Sequence, residues 1–537
     1  MKIGVEHYKK HEGPGIGWRY YMSTIWMCEI CVNDDGSFKS YVLKCSEKEY
    51  TGNKVKELYA NIKSIIVDNG LTTKNKNSKD IALVYVNDLD LVKAFFPKTT
   101  VVFGFKMCEY KDNIQFRNWN DLMPKGINLT SDDIFNTLLW WGKKFKEYGR
   151  TFLTLPQYPR KTMLQRGGAS DLMPDTVTQL DIIYKSIHSG LLYSDKTSVV
   201  DTPMIGVDLV SAYIHAIVYG KHCASQPIRT DVNKWEEYTY AEDKGCVGWY
   251  DLEYNCNHTA IRCYKDYFNE EPLQTGHHTV RISLCDIDLI NLINFKEFEI
   301  IKITCKALYV YDVDYLPQYI RDYCIEQFIK KCTLPKDTLD YALQKTILNS
   351  GFFGNFLHET KQYIDGYYAN TNTMRYFAFV KNASACPIWG IYTCAYVRKD
   401  MFALAMQVEG WRYSDTDSVY YDDTPHNREL VNAFNERRWL DNMQLCNVLN
   451  YSDDVQKYVV TLGQFKPSEQ IVKFRFFNYK QYAYITTSGD LTVKAAGATS
   501  KQTYDRTVLD DPEFRFKVDF TGKSVDTNYY KLTHIII

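Results

Sequence analysis

The sequence predicts a multidomain protein of the mixed α/β and α+β class. Its 537 residues exceed one ordinary core, and about 100 to 200 residues per domain predicts three or more packed units. Strand-like and helix-like patterns interleave along the whole chain. The composition is 45% hydrophobic and 24% charged, with 43 tyrosines and 27 phenylalanines, which is typical of a folded protein and excludes a disordered one.

Charge and cysteine content narrow the class of protein further. Lys and Arg total 64 against 65 Asp and Glu, so a nucleic-acid role would have to come from local basic patches. The first residues contain no apolar signal core, and no stretch approaches the roughly 18 apolar residues of a membrane span, so we expect a soluble protein. The 15 cysteines are scattered, which predicts reduced thiols. Cys28 and Cys31 lie in a strand-like run and are predicted to be structural, a redox or zinc role being the alternative.

The sequence pattern predicts the order of helices and strands along the chain. Residues 1–110 alternate short strand patterns with one helical pattern at 47–66, as in an α/β module. A helix is predicted to start at Thr130 or Ser131, an N-cap followed by acidic residues, with lysines in the last turn. Residues 204–220 predict a buried strand running into a helix, and 315–332 and 338–356 predict two amphipathic helices. Strand patterns dominate at 411–423 and 471–485.

The stretch YSDTDSVYY, residues 413–421, places two carboxylates in an apolar run. Strand alternation predicts Asp415 and Asp417 on one face, with Tyr413 and Val419 continuing it. A solvated hairpin tip is the alternative. Two like charges about 4 Å apart repel by about 4 kcal/mol at an effective dielectric near 20, so a site that keeps both ionised favours a cation between them.

Asp208, in GVDLVSAY, is a further carboxylate at the end of an apolar strand, with a helix N-cap as its alternative role. Three convergent carboxylates are a ligand set for Mg²⁺, which shares its remaining positions with phosphates. Two such ions about 3.5 to 4 Å apart activate a 3′-hydroxyl and stabilise leaving pyrophosphate. The pattern predicts nucleotidyl transfer with Asp208, Asp415 and Asp417 as catalytic residues and two Mg²⁺ ions, which Mn²⁺ can replace.

Further residues fit nucleotide and DNA contacts. Lys345 and Asn349 share a helical stripe that predicts contacts with phosphates and with base or sugar, the alternative being an exposed lysine on an amphipathic helix. A second stripe predicts the core side of the same helix: Leu339, Leu343 and Ile347. Tyr213 is either a core tyrosine or a ring under the sugar that excludes a 2′-hydroxyl. Residues 470–504 hold five Lys or Arg against one acidic residue, interleaved with aromatics, and Lys480 and Tyr482 are the clearest candidates for nucleic-acid binding.

Four motifs in this order resemble those of family B DNA polymerases, and within them the small protein-primed replicative polymerases of bacteriophages. DLVSAY resembles motif A (D-x-x-S-L-Y), and KTILNSGFFG resembles motif B (K-x-x-x-N-S-x-Y-G). YSDTDS is identical to motif C, and KQY fits the K-x-Y motif. The resemblance covers about residues 185–510. It implies a right-hand palm, fingers and thumb preceded by an RNase H-like 3′–5′ exonuclease domain.

The resemblance also implies domain limits and residue roles. The exonuclease-like domain would span 1–180 and the polymerase domain 181–537. Within the latter, the palm is expected at 181–222 and 390–495, insertions at 223–317 and 357–389, the fingers at 318–356 and the thumb at 496–537. The metal ligands would be Asp208, Asp417 and the Leu209 carbonyl, with Asp415 beside them. Tyr213 would be the steric gate, and the other implied nucleotide and DNA contacts are Lys345, Asn349, Phe352, Phe353, Lys480, Tyr482 and Arg398.

The implied partners are template-primer DNA, deoxynucleotides, a terminal protein that primes synthesis and a single-stranded DNA-binding protein. A monomer in the cytoplasm of a bacterial host is expected.

The sequence departs from the family in specific places. Ile214 replaces the usual proline of motif A, motif B has one additional residue, and the Y-x-G-G linker motif is reduced to IHSG at 187–190. No aspartate precedes Asp34, and Val92 and Trp140 fall where the exonuclease would have metal-binding aspartates. These departures predict an exonuclease fold without its metal site. A catalytically silent DNA-binding replication scaffold is the alternative function.

Overall fold

The computed structural model describes residues 25–68, 82–95, 99–102, 107–110, 114–124, 129–148, 158, 182–183, 185–188, 190–195, 199–256, 276–295, 298–336, 338–351, 361–366, 374–379, 386–478, 480–495, 504–511 and 514–516. The chain divides into two compact units, Met1–Thr162 with Thr333–Phe352, and Met163–Cys332 with Phe353–Ile537. No helix within the described ranges is both long and apolar enough to cross a membrane.

The strands are β1 (Ile25–Val32), β2 (Phe38–Lys44), β3 (Glu49–Gly52), β4 (Ala82–Val86), β5 (Thr99–Val102), β6 (Met107–Tyr110), β7 (Ile114–Asn118), β8 (Leu191–Ser194), β9 (Val199–Val200), β10 (Met204–Leu209), β11 (Lys221–Cys223), β12 (Ile228–Arg229), β13 (Lys244–Cys256), β14 (Gly276–Cys285), β15 (Phe298–Tyr315), β16 (Lys361–Gly366), β17 (Met374–Phe379), β18 (Trp411–Thr416), β19 (Ser418–Asp422), β20 (Phe465–Asn478), β21 (Gln481–Thr486) and β22 (Leu491–Ala495).

The helices are α1 (Val55–Asp68), α2 (Leu89–Phe95), α3 (Ser131–Tyr148), α4 (Ala212–Tyr219), α5 (Trp235–Thr239), α6 (Asp286–Ile293), α7 (Gln318–Thr333), α8 (Leu339–Gly351), α9 (Pro387–Ala405), α10 (Pro425–Val448), α11 (Asp453–Val459) and α12 (Thr507–Asp510). Short 3-10 helices occur at Trp119–Asp121 and Val232–Lys234.

The first unit is built on a sheet in the order β3-β2-β1-β4-β7-β6-β5. The β1–β4 and β4–β7 pairs are parallel, and the remaining pairs are antiparallel. Trp26, Cys28 and Ile30 of β1 face a core shared with α1 and α2, whereas Met27 faces a second core shared with α3 and Ile347 of α8. Alternation therefore buries this sheet on both faces.

The positions expected to carry exonuclease carboxylates are apolar and packed. Val92 is fully buried against the β1 core, and Trp140 makes edge-to-face contacts with the rings of Trp141 and Tyr158. The N-cap prediction for α3 is confirmed, because the Thr130 hydroxyl accepts the Asp133 N–H at 3.2 Å.

The CxxC pair lies within β1, as predicted. Cys28 is buried, and burial raises the pKa of its thiol to about 12. Because residues three apart on a strand point to opposite faces, Cys28 and Cys31 cannot hold one metal ion together. The cysteines that the structure describes are free thiols.

The second unit contains an antiparallel sheet in the order β22-β21-β20-β10-β19-β18-β8, with β9 beside β20. Its strands come from both segments that the sequence assigned to the palm. One face of the sheet contributes Val207, Leu209 and Val419 to a core that includes residues of α4 and α9. The other face is largely aromatic, its cluster comprising Val200, Met204, Tyr413, Tyr420, Ile471, Phe474 and Tyr482.

Two further sheets belong to the second unit. The first has the order β11-β15-β13-β14 with β12 beside β15, and it occupies most of the range predicted as the first insertion. The second is the β16–β17 pair, inside the range predicted as the second insertion. Helix α9 is mostly apolar and is buried along most of its length, as expected of a helix inside a core.

Candidate active site

The two carboxylates of YSDTDS lie at the tip of the β18–β19 hairpin. Asp415 pairs with Ser418 across the hairpin, and Thr416 and Asp417 connect the strands. The two aspartates therefore lie at a hairpin tip, which is the geometry of the alternative interpretation. The prediction that Val419 continues the face of Tyr413 is wrong. Tyr413 and Tyr420 share the aromatic face while Val419 faces the opposite core, because the chain reverses between the two strands.

Asp208 lies on the strand beside this hairpin. In the β10–β19 register it stands opposite Ser418, where the Cα atoms of an antiparallel pair are about 4.5 to 5.5 Å apart. The Leu209 N–H donates to the Asp417 carbonyl at 2.8 Å, which fixes the end of β10 to the hairpin turn. Asp208 is exposed and Asp417 is half-buried. The fold thus brings two of the predicted carboxylates together.

Asp415 is engaged by protein groups. The Lys480 ammonium lies 3.5 Å from its Oδ1 atom, and the Thr416 hydroxyl donates to the same oxygen at 2.9 Å. An oxygen that already pairs with an ammonium is poorly available to a metal cation. The arrangement therefore fits the prediction that Asp415 lies beside the metal ligands and is not itself a ligand.

Lys480 and Tyr482 differ in how they are presented. Lys480 occupies the turn between β20 and β21 with φ +59°, its N–H donates to the buried Tyr413 hydroxyl at 2.9 Å, and its side chain is 50% exposed. Tyr482 is 6% exposed, and its hydroxyl lies 3.2 Å from that of Tyr420. Lys480 is therefore open to a phosphate, while the Tyr482 ring belongs to the aromatic core and its primer contact stays a prediction.

Left-handed backbone conformations concentrate at this site. Of the described non-glycine residues with positive φ, namely Ser211, Thr416, Asn450 and Lys480, all but Asn450 belong to the motifs around the carboxylates. Such conformations cost about 1–3 kcal/mol each and persist only where the surrounding structure holds them. Their concentration makes this part of the sheet the candidate functional site.

A lysine that the sequence analysis missed also lies at this site. The Lys331 ammonium of α7 donates to the Ser211 hydroxyl at 3.1 Å, three residues after Asp208. Ser211 directly precedes α4, so this cation lies beside the positive end of a helix. The lysine pair in QFIKKCT was a visible basic signal, but only the fold shows which of the two reaches Ser211.

Tyr213 is in the first turn of α4 and packs against the core that includes Val207 and Leu209. Burial is the main reason why the pKa of its hydroxyl is well above the usual value, and Cys394 and then Asp417 raise it further. The Tyr213 ring is therefore part of the core, as the alternative interpretation predicts, and it also lies near Asp417. Its role as a steric gate against a 2′-hydroxyl stays a prediction.

Arg398 is the predicted DNA contact that the structure corrects. Its guanidinium is 1% exposed and forms a two-pronged pair with the fully buried Asp288, Nε to Oδ1 at 2.9 Å and Nη2 to Oδ2 at 2.6 Å. Its Nη1 atom donates to the His188 carbonyl at 2.7 Å. With every nitrogen turned into the core, Arg398 ties α9 to α6 and to the segment before β8 instead of meeting DNA.

The motif B helix lies in the first compact unit. In α8, Leu343 and Ile347 are buried, Leu339 at the first turn is half-buried, and Lys345 and Asn349 are exposed, so the two predicted stripes are confirmed except at Leu339. Lys345 and Asn349 are thus available for a ligand. The predicted contacts Phe352 and Phe353 lie outside the described residues.

The donor set at the hairpin suits a hard cation. Within the described parts of the chain, no three His, Cys, Asp or Glu side chains converge closely enough to hold a metal ion, so the three-carboxylate set is not assembled. The ligands that the resemblance implies, Asp208, Asp417 and the Leu209 carbonyl, belong to neighbouring elements that the Leu209 N–H bond to the Asp417 carbonyl joins. Oxygen donors of this kind, completed by water and phosphate, are what Mg²⁺ accepts.

Comparison with known proteins adds evidence on the fold. No protein-family model and no curated protein sequence matches the chain. Phi29 DNA polymerase complexed with primer-template DNA and incoming nucleotide substrates matches with TM-score 0.60 at 13% identity, over 89% of this chain and 92% of that one. The same polymerase complexed with primer-template DNA matches with TM-score 0.61 at 12% identity, over 89% and 93%. Its complex with single-stranded DNA matches with TM-score 0.58 at 12% identity, over 89% and 93%.

These matches confirm the predicted fold class, a mixed α/β multidomain protein with an exonuclease-type domain and a palm, fingers and thumb. At identities of 12 to 13% they establish the fold alone. The chain has the fold of Phi29 DNA polymerase.

Proposed function

We propose that the protein is a template-directed DNA polymerase that adds deoxynucleotides to a 3′-hydroxyl. The observation that carries this proposal is the pairing of Asp208 with the YSDTDS hairpin on adjacent strands, with the Leu209 N–H bonded to the Asp417 carbonyl at 2.8 Å. The fold supports it, because the matching structures are of a DNA polymerase bound to primer-template DNA and nucleotides. Template-primer DNA and deoxynucleotides are therefore the proposed partners.

Asp208, Asp417 and the Leu209 carbonyl would hold Mg²⁺, or Mn²⁺ in its place. When bound, a pair of such ions activates the 3′-hydroxyl and neutralises the pyrophosphate that leaves. The protein's part is to fix the ligand oxygens, which it does through the β10–β19 register and the tight hairpin turn. Asp415 stays beside them, held by Lys480 and Thr416.

The triphosphate requires cations from the protein. Lys331 supplies one of them in this proposal, because its ammonium lies 3.1 Å from the hydroxyl of Ser211, the residue three positions after Asp208 in motif A. Lys345 supplies another in this proposal, and Asn349, Phe352 and Phe353 contact the nucleotide. Tyr213 excludes a 2′-hydroxyl from the sugar site.

Lys480 binds the backbone of the primer strand in this proposal. Its ammonium is half exposed and already lies 3.5 Å from an anionic oxygen, that of Asp415, so a phosphate oxygen can take the place of that partner. The bond from its N–H to the Tyr413 hydroxyl at 2.9 Å anchors the turn from which the side chain reaches Asp415.

We further propose that 3′–5′ exonuclease activity is lost. Glu29 is the carboxylate on the β1 face turned toward α3, and it accepts the Ser131 hydroxyl at 3.0 Å. Nearby, the exposed Asp132 carboxylate pairs with Lys44 at 3.1 Å, and the positions expected to carry metal-binding aspartates hold Val92 and Trp140. Other parts of the proposal rest on the sequence resemblance. They are priming by a terminal protein, a single-stranded DNA-binding protein as partner, replication of a viral linear genome, a monomeric state and a location in the bacterial cytoplasm.

The test is a 5′-labelled primer annealed to a longer template, incubated with Mg²⁺ in paired lanes with and without deoxynucleotides. Extension with them and an unchanged primer without them is the expected result. Shortening without deoxynucleotides would contradict the loss of the exonuclease. DNA binding with no extension under any metal or salt condition would replace the proposal by a catalytically silent scaffold.

A further inference from the structure

The turn that carries Asp415 and Asp417 is strained. The Asp417 N–H donates to the Asp415 carbonyl, two residues back, at 2.7 Å, and Thr416 between them has φ +62°. A γ-turn with positive φ is rare and strained, and a β-branched residue at positive φ is an outlier. Such a turn keeps its shape only if its neighbours hold it there.

Gly190 lies directly against this turn. A Cβ atom added to Gly190 would lie 2.7 Å from Cγ2, 2.8 Å from Cα and 2.9 Å from Cβ of Thr416. The next residue, Leu191, pairs with Thr416 across the β8–β18 ladder. Because the Thr416 Cα is backbone, rotation of a side chain cannot relieve the contact, so either β8 or the turn would have to move.

We propose that Gly190 is a positioning residue whose missing side chain lets β8 support the Asp415–Thr416–Asp417 turn and so keeps the Asp417 carboxylate in place. This inference rests on the proposed function, since it concerns how Asp417 meets a metal ion. Moving the nearest atoms from 2.7 Å to the 3.4 Å of ordinary contact displaces the turn by several tenths of an ångström. A 1 Å error in a reacting geometry costs about 10²-fold in rate.

The test compares Gly190→Ala with the wild type in single-turnover extension at increasing Mg²⁺ concentration. We expect the Mg²⁺ requirement to rise about tenfold and the rate at saturating Mg²⁺ to fall by about 10- to 100-fold. Primer-template affinity, measured by fluorescence anisotropy, should stay within about threefold, because no DNA contact changes. Binding of Mn²⁺ to the DNA-free protein, followed by electron paramagnetic resonance, gives a readout that does not depend on activity and should weaken in the same variant.

Gly489→Ala is the matched control. Gly489 has φ +88°, and an added Cβ would meet only the Arg506 Nη2 atom at 3.8 Å, so this variant carries backbone strain without a clash at the turn. We expect it to lose stability but to keep the wild-type Mg²⁺ requirement. A similar shift in both variants would overturn the inference, because it would indicate general destabilisation.

The double variant Gly190→Ala with Thr416→Gly tests the contact itself. Glycine at 416 removes two of the three close atoms and tolerates positive φ, so metal binding should recover in part. If Gly190→Ala alone does not fold, a folded double variant is the expected result, and failure of both would overturn the inference. If the wild type binds Mn²⁺ at the turn but does not extend primers, the proposed function is contradicted. The inference about Gly190 is then tested by comparing the Mn²⁺ affinity of the wild type with that of Gly190→Ala.

Discussion

Replacing Arg398 with methionine should destabilise the protein without weakening its binding to DNA. The structure buries both the guanidinium and the Asp288 carboxylate, at 1% and 0% exposure, and joins them by bonds of 2.9 and 2.6 Å. Methionine fills much of the volume but leaves the carboxylate unpaired in the core. Breaking a buried pair from one side costs about 3–5 kcal/mol, so we expect a loss of that size in the free energy of unfolding.

Two related variants separate charge from geometry. Arg398→Lys keeps the charge but cannot reach both Asp288 oxygens and the His188 carbonyl from one nitrogen, so at least one charged hydrogen bond is lost, about 1.5–3 kcal/mol. Arg398→Met combined with Asp288→Asn removes both charges and should be less destabilised than Arg398→Met alone.

The assay is urea unfolding followed by tryptophan fluorescence, together with anisotropy of a labelled primer-template under native conditions. Lys480→Ala is the comparison, expected to change stability by no more than about 0.5 kcal/mol and to lower the salt dependence of DNA binding by about one phosphate contact. An Arg398→Met protein with wild-type stability and tenfold weaker DNA binding would refute the assignment of Arg398 to the core.

Three further predictions follow from the same contacts. Tyr413→Phe removes the hydroxyl that accepts the Lys480 N–H, so it should lower the free energy of unfolding in urea by about 1 kcal/mol and weaken primer-template binding measured by anisotropy. If Tyr413→Phe lowered the affinity by the same factor in a Lys480→Ala background, an effect exerted through Lys480 would be contradicted. Tyr213→Val should raise ribonucleotide incorporation relative to deoxynucleotides about tenfold or more in single-turnover assays, and unchanged discrimination would leave Tyr213 a core residue only. Burial raises the pKa of Asp286 from 3.8 to about 7, although the Tyr392 hydroxyl donates to it. The native state therefore prefers the protonated form, so the stability that Asp286 contributes is fully present below about pH 4 and is lost as the pH rises from there through 7. Asp286→Asn should stabilise the protein at pH 8 and change little at about pH 4. The opposite order in urea melts would contradict this.

Local patterns predicted the elements of the site because each is set by residues near in sequence. The apolar run in MIGVDL forms β10, the stripes of the motif B segment form α8, and Thr130 with Asp133 begins α3. The same rule of alternation failed at YSDTDS, since it assumes an unbroken strand and the chain reverses at Thr416. A two-residue period cannot be counted through a turn.

Contacts between distant residues were out of reach of the sequence. The resemblance implies a DNA contact at Arg398, but only the fold shows that its partner is Asp288, which lies 110 residues earlier. Lys331 reaches Ser211 from 120 residues away. Gly190 appeared as the remnant of a linker motif, and only the packing of β8 against the Thr416 turn shows why a side chain does not fit there.

The turn between β18 and β19 is proposed as the centre of nucleotidyl transfer. The most direct test of this proposal is the single-turnover rate at which the Asp417→Asn variant adds one deoxynucleotide to a primer. Asp422→Asn is the matched control, the same change on the same hairpin at a carboxylate that pairs with Arg412 at 2.8 Å. We predict a fall of at least about 10² for Asp417→Asn, as for loss of one electrostatic stabiliser, and a rate within a few-fold of the wild type for Asp422→Asn. Undiminished extension by Asp417→Asn would contradict the account.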